Sequence, residues 1–226
     1  LSPQPMQRYF PKAARPSKRA PRSVAASGGT PALIVGIGAS AGGLDAFRTF
    51  FTNMPADSGM AFVLVQHLSP DHKSLLADLV GNATAMPTVE AQDRMRIAAN
   101  QIYVIPPDAT LTVKDRRLRV VMPAPPREHR RPIDTFFSSL AEDQGENAVC
   151  IVLSGTGSDG ALGLTAIKEY GGLTLAQAEF DHSAMSGMPH SAAATGFVDH
   201  VMPVEKMPAR LVEYQRHLSE VAGQKD

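Results

Sequence analysis

The chain has 226 residues, of which 43% are hydrophobic and 19% are charged, and this composition is typical of a soluble protein with one sizeable hydrophobic core or two small ones. The formal net charge is zero, but residues 1–30 contain six basic residues and no acidic one. Removing those six from the 22 basic residues leaves 16 against 22 acidic residues in the remainder, a net charge of −6. This acidic remainder argues against a nucleic-acid-binding surface, and no apolar run approaches the roughly 18 consecutive residues of a membrane-spanning helix.

The basic segment at residues 1–30 is also rich in proline and poor in large apolar side chains. It cannot bury enough apolar surface to offset the entropy of ordering it, so we predict a disordered leader or linker. The alternatives are docking to an acidic partner and an organelle-targeting segment, although the prolines work against the amphipathic helix that targeting needs. We predict one folded domain over residues 31–220, followed by a flexible tail at residues 221–226.

The single cysteine, Cys150, lies within the apolar run 148–153. One cysteine excludes an internal disulfide and a cysteine-based metal site, and the apolar surroundings predict a small buried side chain rather than a nucleophile. No pair of histidines and carboxylates has the close spacing of a metal site, so no metal is predicted. The sequence lacks a secretory signal, and we expect a cytoplasmic protein without membrane insertion.

Strands and helices alternate along most of the chain, as in α/β proteins with a largely parallel sheet. The predicted strands are 32–37, 61–66, 101–105, 110–114, 118–122, 148–153, 173–177 and 197–202. The predicted helices are 44–54, 69–79, 132–141, 161–170, 191–194 and a terminal helix that follows Pro203 and ends near Leu218. The predicted fold is α/β, a doubly wound, mostly parallel sheet flanked by helices, with a small antiparallel hairpin insertion that turns at Asp115 and Arg116 or at their neighbours. The run 148–153 is the most continuously apolar and is predicted to be the central strand.

The first predicted strand ends in a glycine-rich turn at residues 38–42 (GASAG), which leads into the helix at 44–54. A serine at a glycine-flanked strand-to-helix turn has the geometry of a nucleophile elbow, because the sharp turn lifts its hydroxyl out of the sheet. The helix N-terminus places free backbone N–H groups beside Ser40, and these can stabilise the negative charge that develops during acyl transfer. Ser40 is therefore a candidate nucleophile, although the serine of a phosphate-binding loop or an ordinary turn fits the same pattern.

Residues 36–41 (GIGASA) also satisfy the dinucleotide-binding pattern G-x-G-x-x-G/A. That interpretation requires an acidic residue near the end of the second strand, where it would bind the ribose hydroxyls. This chain has Gln66 and His67 there. The alternative of a nucleotide-binding module, which breaks no bond, is weakened but stays open.

Three polar residues follow three predicted strands. Ser40 follows the first strand, His67 follows the second, and Asp159 lies in the glycine-rich loop after the run 148–153. Because the carboxyl ends of parallel strands meet at one edge of a doubly wound sheet, these side chains are expected to converge there. A histidine can take the proton of a serine and return it to a leaving alkoxide, and a carboxylate behind the ring fixes its tautomer.

Each member of this set also has a purely structural interpretation. His67 alone is typical of a strand-end histidine with a satisfied hydrogen bond, and Asp159 alone is typical of a turn or helix-cap residue. His190, before the alanine-rich helix at 191–194, competes for the role of the base, since it would give the residue order of the α/β-hydrolases. The histidines without a strand-end position are predicted to lie at the surface: His72, His129, His182 and His217.

At these residues the chain resembles the catalytic domain of the chemotaxis receptor methylesterases, the CheB-type protein-glutamate methylesterases. The matching segments are 36–43 (GIGASAGG), 65–67 (VQH), 153–160 (LSGTGSDG) and 187–189 (GMP). The likeness extends over roughly residues 31–215, and the four segments with their spacing are specific to the family. Two positions depart from its common pattern, since Ala41 stands where threonine is frequent and Thr156 where methionine is frequent.

The resemblance implies a serine hydrolase that removes methyl esters from receptor glutamates, with glutamine deamidation as a side activity. Carried over by position, Ser40 is the nucleophile, His67 the general base and Asp159 its orienting partner. The backbone N–H groups of Ala41 and Thr156 are the implied oxyanion donors, and no cofactor is implied.

The resemblance also implies a partner, the methylated receptor protein that is the substrate. The chain is similar to the esterase unit at the front of hybrid proteins that join a methylesterase to a methyltransferase, which implies a fused or partner methyltransferase. A catalytically silent domain that docks receptors is the remaining alternative. It predicts receptor binding that survives Ser40→Ala and no labelling of Ser40 by a serine-directed phosphonate.

Overall fold

The structure is a computed structural model that describes residues 29–40, 43–66, 76–124, 130–178 and 187–223. Within these ranges the strands are β1 (Ile34–Ala39), β2 (Ala61–Gln66), β3 (Thr88–Glu90), β4 (Gln101–Val104), β5 (Thr110–Lys114), β6 (Arg117–Val121), β7 (Ala148–Val152), β8 (Leu173–Gln177) and β9 (His200–Met202). The helices are α1 (Leu44–Asn53), α2 (Leu76–Gly81), α3 (Pro132–Gln144), α4 (Ala161–Glu169), α5 (Met188–Ala194) and α6 (Met207–Gly223). Most of the predicted leader and the predicted start of the second helix lie outside the described residues.

Seven of these strands form one parallel sheet in the order β3-β4-β2-β1-β7-β8-β9. Each neighbouring pair is parallel, whereas β5 and β6 form a separate antiparallel pair. The arrangement confirms the predicted α/β fold with its hairpin insertion. The prediction of the central strand was wrong, because β1 holds the middle position and β7 lies beside it. All three of β1, β2 and β7 are buried throughout, so an unbroken apolar run does not distinguish the middle strand from its neighbours.

Helices cover both faces of the sheet. On one face α1, α2 and α6 pack around a group of buried residues that includes Phe47, Phe50 and Phe51. On the other face α3, α4, α5 and the hairpin pack around a second group that includes Phe136 and Phe137. Because both faces are covered, the strands are continuously apolar instead of alternating between apolar and polar residues.

The hairpin β5–β6 turns at Asp115 and Arg116, which both have a φ of +54°, as this type of two-residue turn requires. Its backbone is held to α3. The N–H of Val113 donates to the hydroxyl of Ser139 (3.1 Å), and the N–H groups of the two turn residues donate to the carboxylate of Asp143 (2.5 and 3.1 Å). The hairpin therefore lies along α3 and does not extend the sheet.

The main differences from the predicted elements concern short segments. β3 has only three residues and was not predicted, because so short a run carries little periodicity. α5 begins at Met188, before the predicted residues 191–194, since Pro189 is compatible with the first turn of a helix. α6 extends to Gly223, into the segment 221–226 that was predicted as a tail.

Cys150 lies in β7 and is fully buried, as the sequence predicts. Burial raises the pKa of its thiol well above the usual value, and the negative charge of Asp199 acts in the same direction. A buried thiol that stays protonated is not a nucleophile at neutral pH. Cys150 therefore contributes to the core and not to chemistry.

Asp199 joins three elements at the amino-terminal edge of the sheet. Its carboxylate forms an ion pair with Lys168 of α4 and accepts hydrogen bonds from the N–H and the hydroxyl of Thr174 in β8 (both 3.0 Å). Partial burial acts to raise the pKa of Asp199, but these donors outweigh burial and lower the pKa on balance. A carboxylate with a lowered pKa stabilises the fold above its unfolded pKa, and the contribution is lost as the pH falls through the folded pKa.

We expect Asp199→Asn to lower the free energy of unfolding at neutral pH by about 1 kcal/mol, a value reduced for the partial exposure of the pair. The difference from wild type should shrink in acid below the unfolded pKa of about 3.9, as the pH falls through the lowered folded pKa and the wild-type carboxylate takes up a proton as well. Urea unfolding at both pH values measures the effect, with Asp45→Asn on the exposed surface of α1 as the control. An equal difference at the two pH values would contradict the ionic origin of the stabilisation.

Candidate active site

The chain leaves β1 and β7 in opposite directions across the sheet. β1 connects through α1 to β2 on one side, and β7 connects through α4 to β8 on the other. Where two neighbouring parallel strands diverge in this way, their carboxyl ends enclose the crevice in which open α/β sheets bind ligands. Ser40 follows β1 and the loop 153–160 follows β7, so both border this crevice.

Ser40 is half-buried at the turn between β1 and α1. Its N–H donates to the carbonyl of Ser154 (3.3 Å), in the loop after β7. Its own carbonyl accepts hydrogen bonds from the N–H of Gly43 (2.8 Å) and from the side-chain amide of Gln66 (3.3 Å). Hydrogen bonds thus fix the backbone of Ser40 to the start of α1, to the end of β2 and to the loop after β7.

Gly155 brings the loop after β7 into direct contact with Ser40. A Cβ atom on Gly155 would lie 2.6 Å from the Cβ of Ser40, 2.8 Å from the backbone nitrogen of Ser40 and 2.6 Å from Sδ of Met188. Real Cβ atoms essentially never approach other heavy atoms so closely, so only glycine fits this position without a shift of its neighbours. The carbonyl of Gly155 also accepts a hydrogen bond from the N–H of Met188 (2.8 Å).

Asp159 lies in the same loop and is buried, with 7% of its surface exposed. Its two carboxylate oxygens accept hydrogen bonds from the backbone N–H groups of Ile133 (3.1 Å) and Asp134 (2.9 Å) in the first turn of α3. Asp159 is thus a helix cap, as its structural interpretation predicts, but it caps α3 and not the helix that follows it.

Thr156 is exposed at the rim of the loop after β7. It forms an antiparallel bridge with Gly187, and the hydrogen bond of this bridge runs from the N–H of Met188 to the carbonyl of Gly155. The backbone N–H of Thr156 donates to no acceptor in the part of the chain that the structure describes.

Two of the predicted site residues, His67 and Ala41, lie outside the described residues. His67 directly follows Gln66, the last residue of β2. The competing histidine, His190, is exposed in the first turn of α5. His217 is exposed on α6, as predicted, whereas the other three histidines predicted at the surface lie outside the described residues.

Two glutamine side chains support the crevice, and neither was predicted in this role. Gln66 ends β2 and donates to the carbonyl of Ser40. Gln177 ends β8, and its side-chain oxygen accepts the N–H of Ser154 (2.8 Å). Both are polar residues at the carboxyl end of a largely buried strand, and this position in the sequence is the signal that could have identified them.

The dinucleotide-binding alternative needs an acidic residue at the end of β2. Gln66 occupies that place, is 5% exposed and is bonded to Ser40. It offers no carboxylate to the ribose hydroxyls of a dinucleotide, which weakens this alternative further.

Among the described residues, no group of three or more His, Cys, Asp and Glu side chains could hold a metal ion. In the same part of the chain, no helix combines the length and the hydropathy needed to cross a membrane.

The fold and the crevice define the class: an α/β protein with a serine at a strand-to-helix turn and a buried aspartate in the neighbouring loop. The family model of the CheB methylesterases matches residues 35–211. The chain belongs to this family.

Several relatives of similar sequence are named protein-glutamate methylesterase/protein-glutamine glutaminase. The one from Halobacterium salinarum is 37% identical over 182 residues, which are 78% of this chain and 52% of that protein. The one from Mesorhizobium japonicum is 34% identical over 199 residues, which are 88% of this chain and 58% of that protein. The chain thus spans about half the length of these curated relatives. An uncharacterised 104.1 kDa protein of Rhodobacter capsulatus is 41% identical over 139 residues, which are 62% of this chain and 14% of that protein.

The catalytic domain of the CheB methylesterase of Thermotoga maritima has the same fold. Its crystal structure matches with a TM-score of 0.71 at 28% sequence identity, and the match covers 80% of this chain and 97% of that chain. Family, relatives and fold therefore all agree with the resemblance found in the sequence.

Proposed function

We propose that the chain is a protein-glutamate methylesterase, a carboxylic ester hydrolase with Ser40 as nucleophile, His67 as general base and Asp159 as the residue that orients the imidazole. The observation that carries the proposal is the packing of Gly155 against Ser40. This contact brings the loop of Asp159 and Thr156 to the predicted nucleophile, as a hydrolase of this kind needs. Membership of the CheB methylesterase family supports the same activity.

In the proposed reaction, the hydroxyl oxygen of Ser40 attacks the carbonyl carbon of a glutamyl methyl ester while His67 takes the hydroxyl proton. The tetrahedral intermediate collapses, His67 gives the proton to the leaving methoxide, and methanol departs from an acyl-enzyme on Ser40. Water then attacks the acyl-enzyme with His67 again as base, which releases the glutamate carboxylate and restores the serine.

Two backbone donors are proposed for the oxyanion of the tetrahedral intermediate. The N–H of Thr156 donates to no acceptor among the described residues, which supports its part in this role, and the N–H of Ala41 is proposed on the resemblance of its segment. Because the proposed donors are backbone N–H groups, we expect both donors to be kept although the side chains of Ala41 and Thr156 differ from those common in the family.

The same route accounts for glutamine deamidation, with ammonia in place of methanol as the leaving group. The proposed substrate is a methylated receptor protein, as the resemblance implies, and the names of the relatives support a protein glutamate as the group that carries the ester. A fused or partner methyltransferase stays a prediction. The Rhodobacter capsulatus relative, of which the matched segment is only 14%, supports a multidomain setting for domains of this kind.

The proposal is tested by methanol release from a methylated glutamyl peptide together with labelling by a serine-directed phosphonate. We expect wild type to release methanol and to carry the label on Ser40, as mapped by mass spectrometry, and His67→Ala to label far more slowly. Saturable binding of a nicotinamide cofactor without methanol release would favour the dinucleotide-binding alternative. Receptor binding that survives Ser40→Ala, without labelling of wild type, would favour the silent docking domain.

A further inference from the structure

Two aspartates cap each other's helices beside the candidate active site. Asp159, in the loop before α4, accepts two backbone hydrogen bonds from the first turn of α3. Asp134 lies in that first turn of α3 and in turn caps α4. Its Oδ1 accepts hydrogen bonds from the N–H groups of Gly160 and Gly163 at the start of α4 (both 2.9 Å). Four backbone N–H groups that a helix start leaves unpaired are satisfied in this way.

The two carboxylates are held together at an electrostatic cost. Burial raises the pKa of Asp134, the hydrogen bond from Gly163 acts in the opposite direction, and the negative charge of Asp159 raises the pKa again. The second oxygen of Asp134, Oδ2, lies 3.2 Å from Nε of Arg131, close enough for an ion pair but not aligned for a hydrogen bond. The guanidinium of Arg131 also donates to the hydroxyl of Ser158 (3.1 Å), in the loop after β7.

The starts of α3 and α4 pack with almost no space between them. A Cβ atom on Gly163 would lie 2.8 Å from the carbonyl oxygen of Asp134 and 2.6 Å from the Cβ of Phe137. The backbone of α4 therefore touches the backbone of α3 where the reciprocal caps form. Because α4 begins two residues after Asp159, a displacement of this junction moves the loop that carries Asp159 and Thr156.

We propose that Asp134 is a positioning residue of the active site, which holds the loop 155–160 against Ser40 through its two hydrogen bonds to the start of α4. The inference rests on the esterase function proposed above. Asp134 does not touch the reacting atoms, and it acts through the positions of Asp159 and of the N–H of Thr156. A misplacement of about 1 Å in such groups can lower the rate roughly 10²-fold.

The test compares steady-state hydrolysis by wild type and a series of Asp134 variants, at a temperature where circular dichroism shows each one to be folded. Asp134→Ala removes both acceptor bonds, and we expect kcat to fall by roughly 10- to 100-fold with little change in KM. Asp134→Asn keeps an amide oxygen that can accept both N–H groups, and it should restore kcat to within a few-fold of wild type. Asp134→Ser, whose shorter side chain retains one oxygen, should lie between them and replaces the alanine variant if that one does not fold.

Asp199→Ala is the matched control. It also removes a carboxylate that accepts backbone and side-chain hydrogen bonds, but at the opposite edge of the sheet, so it should lower stability and leave kcat unchanged. Wild-type kcat in Asp134→Ala, or an equal loss of kcat in Asp134→Asn and Asp134→Ala, would overturn the positioning role while the esterase function stands. A wild-type protein that neither releases methanol nor labels at Ser40 would overturn both proposals.

Discussion

Replacement of Ser40 by alanine is expected to lower kcat for a methylated glutamyl peptide by roughly 10³-fold or more. His67→Ala should cost about as much, because the two groups act as one unit in the attack on the ester and neither is effective alone. The double variant is therefore expected to be no slower than the single variants. Stopped assays of methanol release over long times measure the residual rates.

Ser219→Ala is the control for the serine replacement, since this serine is exposed on α6 and its hydroxyl donates to the carbonyl of Gln215 in the same helix. It should be as active as wild type. A rate near wild type in Ser40→Ala or in His67→Ala would reject the catalytic assignment. Losses that multiply in the double variant would show that the two residues act independently.

Gly155→Ala is expected to reduce kcat by roughly 10²-fold, because the new methyl group cannot fit between Ser40 and Met188. One of its contacts would be with the backbone nitrogen of Ser40, at 2.8 Å, which rotation of a side chain cannot relieve. The serine or the loop after β7 must move, and the forced contact should also lower the free energy of unfolding by about 1–3 kcal/mol.

Gly81→Ala in α2 is the matched control, since its added Cβ would have no neighbour nearer than 3.9 Å. Phosphonate labelling of Ser40, kcat and urea unfolding should be measured for both variants. We expect Gly155→Ala to label slowly and Gly81→Ala to behave as wild type. Unchanged labelling and kcat in Gly155→Ala would show that the contact with Ser40 does not matter to the chemistry.

Much of the architecture could be predicted, because it depends on local pattern. The strands at 61–66, 110–114 and 173–177 have the bounds that their apolar runs predict. The parallel arrangement follows from the alternation of strands and helices. Parallel strands in turn place Ser40 and the loop of Asp159 at one edge of the sheet.

The detail of the site could not be predicted in the same way. Asp159 and Asp134 are 25 residues apart and bond to each other's helices, and no local pattern encodes such a pair. The support of Ser40 by Gln66 and of Ser154 by Gln177 likewise spans 26 and 23 residues. The middle position of β1 depends on the order of the strands, which hydrophobicity alone does not set.

The sequence by itself determined the class of fold, the candidate serine and aspartate, and the edge of the sheet where they lie, because periodicity and glycine-rich turns act over a few neighbouring residues. Only the tertiary structure decided that Asp159 caps α3, that Asp134 caps α4 in return, and that Gly155 packs on Ser40. These contacts arise when distant segments pack together at the crevice where the chain leaves β1 and β7 in opposite directions. Their geometry is a property of the packed sheet and helices, and not of any one segment.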